Sequence, residues 1–296
     1  MGPERRAGRG RKGWSFWTLI RIEFLKLRKN RAVAVGLGSL VAFLLLMIWG
    51  FYSYASRQTG GLSIFREAVE HPSYFNGLLF SLYSVYFAFH FVIPVVVAMI
   101  AGAQISGEAH GGTLRAILSR PVGRAELVLS KFLVTGLYAW LVLASFIALN
   151  LLVGLLLGGW GDLGLYPGPL ALVDEPGSIA RNEALGRFAL ATLSGSWSLL
   201  TLVALAFLLS VLVDNPVVSV TGAILAYLIL TVIGRVEFFS DIKAYFFTTD
   251  MDFWRVVFKP EIPWREAAWS AFRCGAYIFG LLLAAVVFFD RRDITT

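Results

Sequence analysis

An all-α membrane protein with six transmembrane helices is the fold this sequence predicts, and three observations predict it. Hydrophobic residues make up 57% of the 296 and charged residues 15%, against roughly 25% charged in an average soluble domain, and mean hydropathy is +0.72. The apolar residues come in continuous runs of about 20, the length an α-helix needs to cross a ~30 Å hydrocarbon core. Those runs do not alternate with polar residues, as the strands of a membrane barrel do.

The elements follow in order. Residues 1–13 are basic, glycine-rich and without apolar anchors, which predicts a disordered cytoplasmic segment. Over 14–30, Trp14, Trp17, Ile20, Phe24 and Leu27 recur at helical spacing while Glu23, Lys26 and Arg28 fall off that stripe. Two readings are open: an amphipathic helix lying in the interface, or a cytoplasmic extension of the first span. The spans themselves lie at about 32–54, 78–102, 125–157, 186–212, 217–236 and 268–289. The first is too long and starts too late for a secretory signal. Only Asp214, Asn215 and Pro216 separate the fourth and fifth, a tight helix-breaking turn. Residues 158–181 are Gly/Pro-rich and read as irregular surface. The aromatic stretch 237–267, with Phe238, Ile242, Tyr245 and Phe246 on one helical face, reads as short amphipathic helices in or dipping into the outer leaflet, or as an aromatic belt on a water-exposed loop. With no internal repeat, 14–296 reads as one transmembrane domain.

Charge sets the orientation. The formal net charge is +7, but the basic residues crowd into the first 31 positions, the stretch from Arg115 to Lys131, and Arg291 and Arg292, which is the pattern of cytoplasmic flanks. That placement argues against nucleic acid as partner. Six spans then put both termini in the cytoplasm. Acids such as Asp162, Asp174, Glu175, Asp250 and Asp252 collect on the other side. The single cysteine, Cys274, excludes an intrachain disulfide and a thiolate cluster. His71, His90 and His110 fall in an outer loop, a span and an inner loop, so they share no metal site.

The inner loop 104–124 is too ordered in pattern for a bare linker. In Thr113–Ser119, Leu114, Ile117 and Leu118 fall at i, i+3 and i+4 with Arg115 off that face, predicting about two turns of amphipathic helix. Gly111 and Gly112 loosen its entry, Thr113 is placed to cap it, and Pro121 stops it near Ser119 and Arg120. Such a helix can dock in a groove of another protein or lie on the membrane surface. Glu108, just before it, can pair with Arg115 or the helix dipole, or stay solvated.

Glu108, then Gly112-Thr113-Leu114, Arg120-Pro121, Arg124 and Lys131, resembles the first cytoplasmic loop of ABC-2-type transporter permeases. The basic helix before the first span, the six spans, the short fourth-to-fifth turn, the aromatic segment before the last span and the C-terminal Phe288–Thr295 stretch extend the resemblance over nearly the whole chain. The resemblance implies a coupling helix at Glu108, Gly112, Thr113, Leu114, Arg115, Ile117, Leu118, Arg120 and Pro121 that docks on a separate ATP-binding subunit. It further implies an elbow helix at 14–30 and two permease subunits, as a homodimer, with two ATPase copies in an exporter-like system of the inner membrane of a bacterium or archaeon. On this reading Leu114, Ile117 and Leu118 insert into the ATPase groove and Arg115 and Arg120 make rim contacts. The sequence holds no G-x-x-x-x-G-K-[ST] loop, so ATP and Mg belong to the partner and this chain is no enzyme and binds no cofactor.

Candidates for a substrate path are the polar residues inside spans. His90 in the second span faces a cavity or hydrogen-bonds a neighbouring helix; Pro94 one turn later predicts a kink. Asn150 and Ser194 line a path or join helices, and Arg273 snorkels to the interface. No set of residues places a base and an orienting partner at one depth. Two rival functions stay open: a scaffold that transmits motion without passing substrate, and a membrane-embedded lipid-modifying enzyme.

Overall fold

The computed structural model describes residues 16–57, 76–119, 122–165, 167, 172–173, 177–239 and 241–292. The expected disorder of 1–13 and the positions of Trp14, His71, Arg120 and Pro121 lie outside them.

Six helices are long and apolar enough to cross a membrane: α2 (Arg31–Arg57), α3 (Gly77–Gly102), α6 (Arg124–Gly158), α7 (Arg181–Leu212), α8 (Pro216–Ile233) and α10 (Trp264–Arg291). The short helices α1 (Phe16–Lys29), α4 (Ser106–His110) and α5 (Thr113–Leu118) gather at one end of the bundle, and α9 (Phe247–Met251) belongs to the other. The first end also holds the α7–α8 turn and the C-terminus of α10, so we call it the basic end and its opposite the far end.

Local chemistry explains the helix starts. Asn30 and Asn215 side chains accept from Ala32 N and Val217 N, and Pro216 occupies the first turn of α8, where its missing N–H costs nothing. Asn76 accepts from Leu78 N and Leu79 N at the start of α3 and donates to the Asp162 carbonyl. That last bond anchors a feature absent from the sequence reading. Within the stretch expected to be irregular, β1 (Leu163–Leu165) pairs antiparallel with β2 (Gly177–Ile179), Leu163 opposite Ile179. The alternating Leu163, Leu165 and Ile179 side chains are buried, which gives so short a ribbon a reason to form.

α3 and α7 form the buried centre, and α2, α8 and α10 present Leu46, Val217, Ile229 and Phe279 outward, as a lipid-facing ring requires. α3 and α6 touch backbone to backbone. A Cβ on Gly77 would overlap the Gly154 carbonyl, and one on Gly158 would come within 2.6 Å of Gly77 N. Gly154 and Gly158 are thus the small faces of a G-x-x-x-G seam, the device helices use where no hydrophobic effect drives them together. α3 runs on through Pro94 as one helix. Proline lacks the N–H that would bond the carbonyl four residues back, and the Tyr227 hydroxyl donates to that freed His90 carbonyl at 3.2 Å.

Candidate functional site

At the basic end, four alternating charges tie three elements together. Lys131, on α6 and 1% exposed, places Nζ 2.8 Å from Glu23 Oε2 on α1 and 2.8 Å from Glu108 Oε1 on α4. Lys26 closes the ring at 2.8 Å from Glu23 and 2.9 Å from Glu108. A buried ammonium is tolerated only with paired carboxylates, and the ring supplies two. Burial pushes the Glu23 carboxyl up, but Lys131 and Lys26 outweigh it and hold it below the usual range. Burial likewise opposes the Lys26 charge, and Glu23 and Glu108 overcome it and raise that group.

This arrangement revises two expectations. Glu108 pairs with Lys26 and Lys131 instead of Arg115. On α1 the face against the protein is Leu19, Glu23 and Leu27. Trp17, 75% exposed, and Phe24 point away from the bundle, with Ile20 half-buried between the two faces. Glu23 therefore belongs to the packed side although it lies off the apolar stripe.

α5 forms where its spacing predicts, with a different entry. Gly112, at φ 68°, occupies the left-handed region as N-cap, a conformation that favours glycine. Thr113 is the first helical residue and its hydroxyl reaches back to the Glu108 carbonyl at 3.3 Å. Leu114 is 3% exposed, its side chain already covered by its own chain, which leaves it nothing to insert into a partner in this conformation. Ile117 and Leu118 are half-buried, while Thr113, Arg115, Ala116 and Ser119 are exposed. Between α1 and α5 lies a groove of about 440 Å³ lined by Leu19, Ile22, Lys26, Glu108, Ala116 and Ile117 among others.

Arginines join the remaining helix ends here. Arg124 Nη1 lies 2.7 to 3.2 Å from the carbonyls of Phe289, Asp290 and Arg292, capping α10. Arg292 in turn donates to Val211 O and pairs with Asp214. Ser210 Oγ accepts from the Ile105 and Ser106 amides at 2.9 Å, and Ser219 donates to Gly102 O.

The candidate path residues do not converge. Asn150 is buried against Phe146 O, with its own carbonyl accepting from Ser81. Ser194 donates to Leu190 O on its own helix. Only His90 joins a polar cluster, and it does so with the far-end connection between α8 and α10. There Phe238, 87% exposed, and Tyr245 face outward on two 3-10 turns, Glu237–Phe239 and Lys243–Tyr245, and so does Ile242, the cap of the second. The chain then turns in through α9 and the 3-10 run Asp252–Phe258, burying Phe247, Met251, Trp254, Val257 and Phe258. The Trp254 ring sits 5.1 Å from Phe89, and Phe258 5.0 Å from Phe188. From Gly77 to His90 helix α3 rises about 20 Å at ~1.5 Å per residue, so the segment reaches well inside the bundle.

Three charged contacts hold it. His90 Nε2 lies 2.9 Å from Asp252 Oδ1, with Arg255 3.2 Å from the other oxygen. Burial pushes the Asp252 carboxyl up, yet His90, Arg255 and Arg235 outweigh it and hold it below its ordinary range. Arg187 on α7 donates to the carbonyls of Val257, Lys259 and Pro260. Arg273 pairs at 2.6 Å with Asp250; burial outweighs that partner and leaves the Asp250 carboxyl raised. Among the described residues no group of histidines, cysteines and carboxylates could hold a metal.

Residues 19–167 match the ABC-2 family transporter protein family. An uncharacterized protein YhcI of Bacillus subtilis is 26% identical over 66% of this chain and 63% of its own length. A probable ABC transporter permease protein NosY of Pseudomonas aeruginosa is 32% identical over 58% of this chain and 52% of its own, and a protein of the same description from Stutzerimonas stutzeri is 39% identical over 23% of this chain and 25% of its own. The chain thus spans about three fifths of the length of the first of these curated relatives and about half of the second.

Proposed function

Because the chain belongs to the ABC-2 transporter family, we propose that it works as the membrane-embedded permease subunit of an ABC transporter, driven by a separate ATP-binding subunit that docks on the α4–α5 loop. The observation that carries this reading is the ion ring. A loop that merely connected two spans would need no tie to the bundle interior. Here Glu108 is tied to Lys131 within the third span and to α1 through Lys26, so a force on α5 reaches α1, α3 and α6 without being absorbed by a soft hinge. The docking surface is the exposed side of α5, Thr113, Arg115, Ala116 and Ser119, with Gly112 and Glu108 fixing its pose and Leu114 bracing it from within. α1, with Trp17 and Phe24 turned outward, fits an elbow lying in the interface.

On this reading the basic end is cytoplasmic, the termini lie on that side of a bacterial or archaeal inner membrane, two permease copies pair, and ATP and Mg are bound by the partner. Affinity purification in nanodiscs with an ATPase assay tests it. A stoichiometric ATPase is expected, with its stimulation lost in Arg115→Glu/Ala116→Asp and retained in Phe238→Ala at the far end. Unchanged stimulation in the loop variant would sink the docking assignment.

A further inference from the structure

We propose that the outward face of α1 is a binding surface for the headgroups of anionic phospholipids, with Arg21 and Arg28 taking the phosphates. Trp17, Arg21, Phe24 and Arg28 follow one another at four- and three-residue steps, so they form one row along the helix. All four are exposed, on the side away from the packed Leu19, Glu23 and Leu27. Two large aromatic rings and two guanidiniums in one row suit neither bulk water nor hydrocarbon. Water leaves the Trp17 and Phe24 rings exposed, and hydrocarbon leaves the arginines without counter-ions. The headgroup layer meets both demands, with the rings toward the acyl chains and the guanidiniums on phosphate, which they bind through paired N–H donors.

Depth and charge agree with that placement. α6 is 35 residues long, about 50 Å at ~1.5 Å per residue against a hydrocarbon core of ~30 Å. Centred on that core it stands about 10 Å proud at each end, and Lys131, two turns from its start, then lies at the boundary. Lys131 holds Glu23 at 2.8 Å, which fixes α1 at that level. Glu23 is the only acid of α1, and it is buried and taken up by Lys131 and Lys26. Arg21, Arg28, Lys29 and Arg31 are exposed, and among the described residues none of them forms an ion pair. Four uncompensated cations at and just after one helix favour lipid that carries net negative charge, each strengthening attachment about fivefold near such a surface. An acidic protein surface supplies the charge without an apolar layer for Trp17 and Phe24, so lipid is the better fit. Lipid held on the outer row steadies the helix whose inner side closes the ion ring, Glu23 on Lys131 and Lys26 on Glu108. The assignment stands on the fold and holds whether or not an ATPase docks on α5.

Hydrogen–deuterium exchange of the full chain in nanodiscs of phosphatidylcholine alone, and of phosphatidylcholine with an equal part of phosphatidylglycerol, tests it. Protection over α1 is expected to rise about tenfold or more with phosphatidylglycerol, while α3 and α7 stay constant. Arg21→Gln/Arg28→Gln, two exposed substitutions that leave the ion ring intact, should lose most of that rise. Arg115→Gln, which removes an exposed cation at the same end of the bundle, should keep it. Equal protection of α1 in the two lipids, a rise that survives in the double variant, or a rise that Arg115→Gln loses to the same degree would overturn the assignment.

Discussion

The two ends of the bundle solve the same problem, a charge buried among apolar helices, with different chemistry. At the basic end Lys131 is neutralised by two carboxylates, Glu23 and Glu108. At the far end Asp252 is met by Arg255 and by the ring of His90. The lesson is that the first arrangement ties a cation within a span to two short helices at the bundle's end, while the second ties a segment between spans to the bundle's interior.

The largest expected effect breaks the first half of this comparison. Lys131→Met leaves Glu23 and Glu108 with only the half-exposed Lys26 between them and should cost about 3–5 kcal/mol, read as a drop in thermal unfolding temperature in nanodiscs. Adding Glu23→Gln and Glu108→Gln should recover much of it, because the charge to be neutralised is gone. Arg187→Met comes next. It orphans the carbonyls of Val257 and Pro260 and should lower protection over 247–258 by about 1–3 kcal/mol, with a smaller change in global unfolding.

The basic end should respond to acid. Glu23 has its pKa depressed, so its contribution is present above the ordinary glutamate range and lost only as pH falls through the lowered value. Unfolding and exchange measured as pH is lowered through and below the ordinary glutamate range should therefore show the basic end loosening first. The smallest effect on stability belongs to Arg115→Glu, an exposed substitution expected to stay within about 0.5 kcal/mol while abolishing ATPase stimulation. Loss of stability comparable to Lys131→Met would show that α5 is structural and not a contact surface.

Much of this fold was legible because membrane spans are a one-dimensional signal. The six helices follow the apolar runs to within a few residues, and α5 begins at the Gly112–Thr113 step where the glycines and spacing place it. What spacing could not say is which way a short amphipathic helix turns its apolar side, and Leu114 proved to face its own chain. The ion ring was out of reach for the same kind of reason: Lys131 and Glu23 are 108 residues apart, beyond any helical periodicity. A signal existed nonetheless, since a lysine within the apolar run of α6 demands a buried acid, as Arg187 in α7 demands acceptors. Gly154 and Gly158, four apart in an apolar run, marked the α3 seam in the same way. Asp252 as the partner of His90 was hidden because the depth of a re-entrant segment depends on tertiary packing around Trp254.

On the proposed function, force enters at the exposed face of α5. Photo-crosslinkers placed singly at Ala116 and at Phe238, in nanodiscs containing the co-purified complex, test it most directly. The account predicts an adduct with the ATP-binding subunit from Ala116, its yield changing with nucleotide, and none from Phe238. An adduct from Phe238, or none from Ala116 in a complex that still hydrolyses ATP, would contradict it.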